Sequence, residues 1–233
     1  MAVRIIRPNQ KIYRIPTRGI ETREALASGA AEVTLELQPG AAAGLDTHLS
    51  QANATKNYGI DPGMYTDNIA DPNKRRALLA FDLSSIPGGS TIVSAILTLW
   101  NLNSGGGGGG APVNIAVHRA LTQWYEGAKN GAPPDAGQDG STWNLRNANG
   151  SVAWAGGAGG ASGSDWQAAA TATTVVSGIG YFTWDVTADV TAWVGGTNNY
   201  GWWILNTSGI WKQFAQSDHA TAAYRPKLTI VYS

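Results

Sequence analysis

Glu32-Val33-Thr34-Leu35-Glu36-Leu37 alternates strictly, with Val33, Leu35 and Leu37 on one side of an extended chain and Thr34 and Glu36 on the other. A period of two marks a half-buried β-strand, and Pro39-Gly40 closes the stretch with a turn. Moving outward, the same punctuation recurs. Residues 76–81 and 91–100 are strand-like and are parted by Pro87-Gly88-Gly89, and 113–118 follows a glycine run at 105–110. Residues 173–176, 180–184, 201–205, 212–216 and 226–232 continue the series. Short strands separated by Gly and Pro predict an all-β fold, an antiparallel jelly-roll-like β-sandwich. One short helix interrupts it, over 186–194. Asp185 or Thr187 can cap its start and Gly195-Gly196 can end it. Val186, Val190, Trp193 and Val194 share a face of that helix, which should pack across an end of the sandwich.

Composition narrows the function classes. The chain of 233 residues has no cysteine, which excludes a disulfide scaffold, a thiol nucleophile and a thiolate zinc site. Its formal net charge is zero, which gives no electrostatic footprint for nucleic acid, and no apolar run reaches the ~20 residues of a membrane helix. The zero conceals a segregation. Arg4, Arg7, Lys11, Arg14 and Arg18 fall within the first twenty residues with no acid among them, so the remaining chain is mildly acidic. Residues 1–30 therefore read as a basic, extended N-terminal arm and residues 31–233 as the β-sandwich domain. Arg4, Arg7, Lys11, Tyr13, Arg14 and Arg18 are the arm's candidate docking residues, since such a segment gains order from a partner surface. The first residues lack the apolar core of a signal peptide, so with a native Met1 the chain would not leave a cell by that route.

Residues 127–172 are poor in strand signals and rich in Gly, Ala, Asn, Asp and Ser, which predicts a long irregular loop of the functional kind. Trp143, Trp154 and Trp166 lie in it, where exposure is expected. Trp202 and Trp203 are adjacent in a strand, so one of them must point away from the core face. These five are the candidate aromatic contacts, either for a subunit interface or for stacking on sugar rings. Catalytic signatures are missing from the sequence. His48, His118 and His219 sit in no nucleophile motif, and most acids occupy turns that their own backbone hydrogen bonds explain. Asp82 and Asp185 each end an apolar strand and are the candidate calcium ligands, although no loop of alternating Asp and Asn supports a calcium site. Gly105 to Gly110 reads as a flexible hairpin tip, without the Lys-Ser/Thr of a phosphate loop.

Several stretches, in order, carry a family likeness: Asp46-Thr47-His48-Leu49, Asn57-Tyr58-Gly59, the run from Arg76 through Asp82-Leu83-Ser84-Ser85-Ile86-Pro87, Trp124-Tyr125-Glu126-Gly127, and Thr142-Trp143-Asn144. Phe182-Thr183-Trp184-Asp185-Val186-Thr187, Trp193-Val194, Asn199-Tyr200-Gly201 and Arg225-Pro226-Lys227-Leu228-Thr229 complete the set. Together they resemble the DNRLRE (disaggregatase-related) family of β-sandwich modules. That resemblance implies a non-catalytic module of the sort appended to polysaccharide-degrading enzymes, where some bind acidic glycans such as alginate, and also found in bacterial surface proteins and phage structural proteins. The basic arm, the glycine run and the enlarged loop depart from the family pattern and favour a free-standing assembly part.

Two readings follow. In the first the chain is a non-enzymatic structural or adhesive protein of a virion surface, a bacteriophage capsid decoration or head or tail appendage protein, anchored by its arm to other virion proteins or to copies of itself. In the alternative it is an extracellular or cell-surface carbohydrate-binding module for an acidic glycan, with Lys129, Arg146 and Lys212 as the cations in or after the loop. No cofactor beyond a possible calcium, no nucleic acid and no membrane enters either.

Overall fold

The strict alternation at residues 33–37 is realised as the first strand of a two-sheet sandwich. The computed structural model describes residues 31–102 and 111–233. The basic-arm residues Arg4, Arg7, Lys11, Tyr13, Arg14 and Arg18, and the glycine run 105–110, lie outside the described residues.

In chain order the strands are β1 (Val33–Leu37), β2 (Leu45–Ser50), β3 (Gly63–Thr66), β4 (Arg75–Ala80), β5 (Ile92–Asn101), β6 (Val113–Arg119), β7 (Leu145–Asn147), β8 (Val152–Ala153), β9 (Ala172–Val176), β10 (Gly180–Asp185), β11 (Trp202–Asn206), β12 (Lys212–Ala215) and β13 (Lys227–Tyr232). The single α-helix, α1 (Thr187–Val194), lies between β10 and β11. One antiparallel sheet runs β1-β13-β5, continues through β12 to β3, and carries β10 on β5 as well. The other is β2-β4-β11-β6-β9, and β7 and β8 form a small hairpin of their own. Every pairing in the two sheets is antiparallel.

The main core lies between the sheets. Leu97 and Leu99 of β5, Leu228 and Ile230 of β13, Ile115 and Val117 of β6, and Trp184, Trp202 and Phe214 are sealed there. Helix α1 adds Val186, Val190 and Trp193 to this core, as its apolar face requires, with Val194 half-buried at the margin. The Asp185 carboxylate accepts the Thr187 backbone N–H (3.0 Å) and hydroxyl (2.6 Å), fixing the entry to the helix.

A second core was not foreseen. The segment between β6 and β9 folds over the outer face of the second sheet and places Trp124, Trp143, Trp154 and Trp166 against Leu49, Leu78 and Trp203. Trp203 does point away from Trp202, as strand alternation demands, but it meets this cover rather than solvent. The expected exposure of the loop tryptophans is therefore corrected: Trp143, Trp154, Trp166, Trp202 and Trp203 are between 0% and 6% exposed. None of these five presents a free face to a ligand or a partner.

Polar side chains hold the cover in place. Asp165, itself 0% exposed, accepts the backbone N–H groups of Ala155 (2.9 Å), Gly156 (2.8 Å) and Ala161 (2.9 Å) and the Thr122 hydroxyl (3.1 Å). Its own carbonyl accepts the Trp203 indole N–H (3.1 Å). Arg76, reaching out from β4, lies over the rings of Trp143 and Trp166 at 5.1 and 4.9 Å and donates to the carbonyls of Gly159 and Gly160. Gly160 must be glycine there, because its φ is +75° and a Cβ would sit 2.8 Å from the Trp203 ring.

Candidate functional site

With the second sheet covered along β2, β4 and β11, two features of the described residues stand out: an acidic cluster at one end of the sandwich and the outer face of the first sheet.

Asp46 from β2, Glu126 from the stretch after β6, and Asp218 from the turn after β12 bring one carboxylate oxygen each to within 4.8 Å of one another. Ser217 donates its backbone N–H (2.8 Å) and hydroxyl (3.2 Å) to the two oxygens of Asp46, and Glu126 accepts the Asp46 backbone N–H (3.0 Å). Asn57 ties the neighbouring backbone by donating to the carbonyls of Glu126 (2.6 Å) and Ser141 (2.9 Å). Burial pushes Asp46 up to about 7 against the pull of its Ser217 bonds. Burial, with the charges of Asp46 and Asp218, pushes Glu126 up to about 8. Burial also raises Asp218, and the nearby Arg225 charge opposes that rise. Asp46 and Glu126 are thus forced to share protons at neutral pH, with Asp218 beside them. Glu126 lines a cleft of about 860 Å³ together with Ala42, Leu45, Phe81, Asp82 and Trp193.

Chemically, the cluster can hold protons, and its oxygens are of the kind a hard cation takes. It is not arranged as a hydrolytic pair. Asp46 is 1% exposed and both its oxygens already accept from Ser217, so it reaches no substrate. The calcium candidates named from sequence do not belong to this cluster, although Asp82 lines the same cleft as Glu126. Asp82 accepts the Ser84 N–H (2.9 Å) and hydroxyl (3.0 Å), and Asp185 performs the same service for Thr187. Both carboxylates are held below the usual range by those local bonds, as turn and helix-entry residues are.

The histidines have local roles. His48 is 3% exposed, stacks on Tyr58 at 4.1 Å and meets Tyr65 edge-on at 5.1 Å, and burial holds it down at about 3, hence neutral. His118 Nδ1 lies 2.8 Å from the Gln167 carbonyl, and His219 Nδ1 accepts the Thr221 N–H. The cations expected to greet an acidic glycan are engaged as well. Lys129 pairs with Asp135 at 2.5 Å, Arg146 donates to the Gln123 carbonyl at 3.0 Å, and Lys212 is buried and donates to the Ala111 carbonyl.

The outer face of the first sheet is different. Register places Tyr181 opposite Trp100, Thr183 opposite Thr98, and Thr98 opposite Lys227, with their side chains on the side away from the core. Tyr224 stacks on Trp100 with ring planes parallel and centroids 4.2 Å apart, and Tyr181 meets Trp100 edge-on at 4.5 Å. Tyr181 donates its hydroxyl to the Ala223 carbonyl (2.8 Å), which fixes its ring, yet it is 51% exposed. The sequence reading missed this cluster, because Tyr181, Trp100 and Tyr224 come from three separate segments. The alternation of β5 and β10 carried half the signal.

Residues 40–132 match carbohydrate-binding module family 96. The matched stretch runs from β2 through β6 and contains Asp46, Arg76, Trp100 and Glu126. It supports a domain of the carbohydrate-binding-module kind, a non-catalytic class. No curated protein matches the chain. Among the described residues no helix is long and apolar enough to cross a membrane.

Proposed function

We propose that this protein binds polysaccharide and leaves it uncleaved, at the cell surface or outside the cell. The observation that carries the reading is the family match over residues 40–132. The two-sheet sandwich supports it, as does an accessible aromatic cluster on one sheet, since an exposed ring with a fixed orientation is the kind of surface a sugar stacks on. Of the two readings the sequence offered, the match favours this one over the virion-surface assembly protein, whose basic arm lies outside the described residues.

Native gel electrophoresis through soluble polysaccharides, with pull-down on insoluble ones, tests the proposal. Saturable retention by at least one glycan is the expected result, with no release of reducing ends. A folded protein that no member of a broad panel retards would overturn it.

A further inference from the structure

Resting on the polysaccharide reading, we infer that the ligand lies across the outer face of the first sheet, on Tyr181, Trp100 and Tyr224, and that it is a neutral glycan.

Three features lead there. First, this sheet face is uncovered: apart from the 222–224 turn that brings Tyr224 onto Trp100, no described element packs over it, whereas the opposite outer face is buried under four tryptophans along β2, β4 and β11 and opens only at β6 and β9, where Asn114, Thr173 and Val175 offer no ring. Second, the rings are held before any ligand arrives. Tyr181 is tied through its hydroxyl to Ala223, Tyr224 lies flat on Trp100, and the Gln38 side chain donates to the carbonyls of Ala223 and Arg225 and so braces the same turn. Pre-set aromatic surfaces lose little conformational freedom on binding, which is where binding energy concentrates. Third, the strip running away from the rings is rich in hydroxyls, with Lys227 beside Thr98 and with Ile96 and Asp185 at its far end. Thr98 and Thr183 follow Trp100 and Tyr181 on the same face, and Thr229 lies one step further, opposite Ile96. From Trp100 to Ile96 the strip is about 13 Å long at ~3.3 Å per residue, which accommodates a short stretch of a sugar chain.

Charge decides the glycan class. Lys227 on this face is paired with Glu36 at 3.2 Å, and Asp185 on the same face is occupied by Thr187. Behind the aromatic turn Arg225 donates to the His219 carbonyl and faces Asp218. A uronic-acid polymer crossing the face would meet Glu36 and Asp185 with its carboxylates and would have to break an existing ion pair to gain a cation. A neutral chain meets rings and hydroxyls, and disturbs no pair.

The experiment uses the full chain, with a β-glucan, a xylan and a galactomannan as neutral probes and alginate as the acidic one. Affinity is read by gel retardation, and folding by thermal melts. The expected result is that a neutral probe is bound and that Tyr181→Ala and Tyr224→Ala each weaken binding at least ten-fold with the melting temperature nearly unchanged. Thr183→Arg, which blocks the exposed strip without removing a packed ring, should give the same loss and keeps the test valid if an aromatic variant unfolds. Unaltered affinity in all three variants overturns this site while leaving polysaccharide binding intact. Retention by alginate alone overturns the neutral class. Retention by nothing in the panel overturns the polysaccharide reading itself, and the site with it.

Discussion

The two outer faces of this sandwich are built from similar strands, yet one is sealed along β2, β4 and β11 and the other is open. On the β4–β11 sheet, Leu49, Leu78 and Trp203 point outward and are covered by a long segment that brings its own tryptophans. On the β5–β10 sheet, Thr98, Thr183 and Lys227 point outward and are covered by nothing among the described residues, with Trp100 and Tyr181 at one end. The difference lies in what each strand places on its second face. A strand apolar on both faces needs a second cover, and a strand with hydroxyls on its outer face does not. Tryptophan abundance is thus a poor guide to a binding surface in this molecule: most of its tryptophans build cores, while the accessible cluster rests chiefly on two tyrosines.

The sharpest way to break the comparison is to truncate one aromatic on each face. Trp154 is 2% exposed, donates its indole N–H to the Thr142 carbonyl (3.0 Å) and meets Trp203 edge-on at 4.9 Å. Trp154→Ala should cost roughly 3–5 kcal/mol of stability in denaturant unfolding, whereas Tyr181→Ala on the open face should cost less than about 1 kcal/mol. Equal losses would mean that the two faces are not different in kind. Next in size is the cover's polar anchor. Asp165→Ala strips an acceptor from three backbone N–H groups and one hydroxyl in a buried site. The expected loss is about 2–4 kcal/mol, with the loop tryptophans becoming accessible to a fluorescence quencher while glycan binding on the open face persists.

The third prediction concerns the acidic end. Asp46 and Glu126 are raised to about 7 and about 8 in the folded protein, so the native state holds more protons than the unfolded chain between roughly their ordinary carboxylate range and those values. Their contribution to stability is therefore greatest below about pH 4 and is lost as pH rises through 7 to 8. From Asp46 alone, unfolding free energy should fall by on the order of 2 kcal/mol between pH 5 and pH 8, and the partly exposed Glu126 adds a solvent-screened share in the same direction. Asp46→Asn keeps the shape of the side chain and removes the titration, so it should flatten the slope. A melting temperature that stays flat over this range would show that the cluster ionises freely, and one that rises with pH would show that the folded state favours the charged carboxylates.

Most of the frame was legible in the sequence because it depends on local periodicity and punctuation. The strands at 92–101, 113–119, 180–185 and 227–232 and the helix at 187–194 fall within a residue or two of where alternation, Gly-Gly and Pro-Gly placed them. β2 was not legible. Leu45-Asp46-Thr47-His48-Leu49-Ser50 has no apolar alternation, because both its faces are buried, and on the core side the buried groups are Asp46 and His48. β3 is only four residues long and begins on glycine. The cover over the second sheet reads as an irregular exposed loop because its order comes from Asp165 gathering N–H groups within the loop itself and from Asn57 and Arg76 satisfying backbone carbonyls far along the chain, and such bonds leave no period. The acidic cluster was half visible. Asp46 and Glu126 stand in the family-like motifs, but nothing local shows that residues 46, 126 and 218 meet.

The smallest effect is expected at Asp185, where sequence and structure agree. Its carboxylate is exposed on the open face and bonds the first helical N–H and the Thr187 hydroxyl, and those bonds hold it below the ordinary aspartate range. A lowered acid works in the opposite sense from Asp46. Its contribution is present above the unfolded value, near 4, and is lost as pH falls through the lower folded value. Because the group is solvent-screened, Asp185→Ala should cost no more than about 1 kcal/mol at pH 7, and the difference from the native protein should shrink in melts at pH 3. The Thr187 hydroxyl also accepts the Ala95 N–H from β5 (2.9 Å), so the substitution loosens one anchor of the helix to the open sheet without touching Tyr181, Trp100 or Tyr224. Glycan affinity should therefore remain within two-fold of the native value. A ten-fold loss would place the ligand nearer the helix end of the strip than the aromatic end, and would shift the open-face site along β5 rather than abolish it.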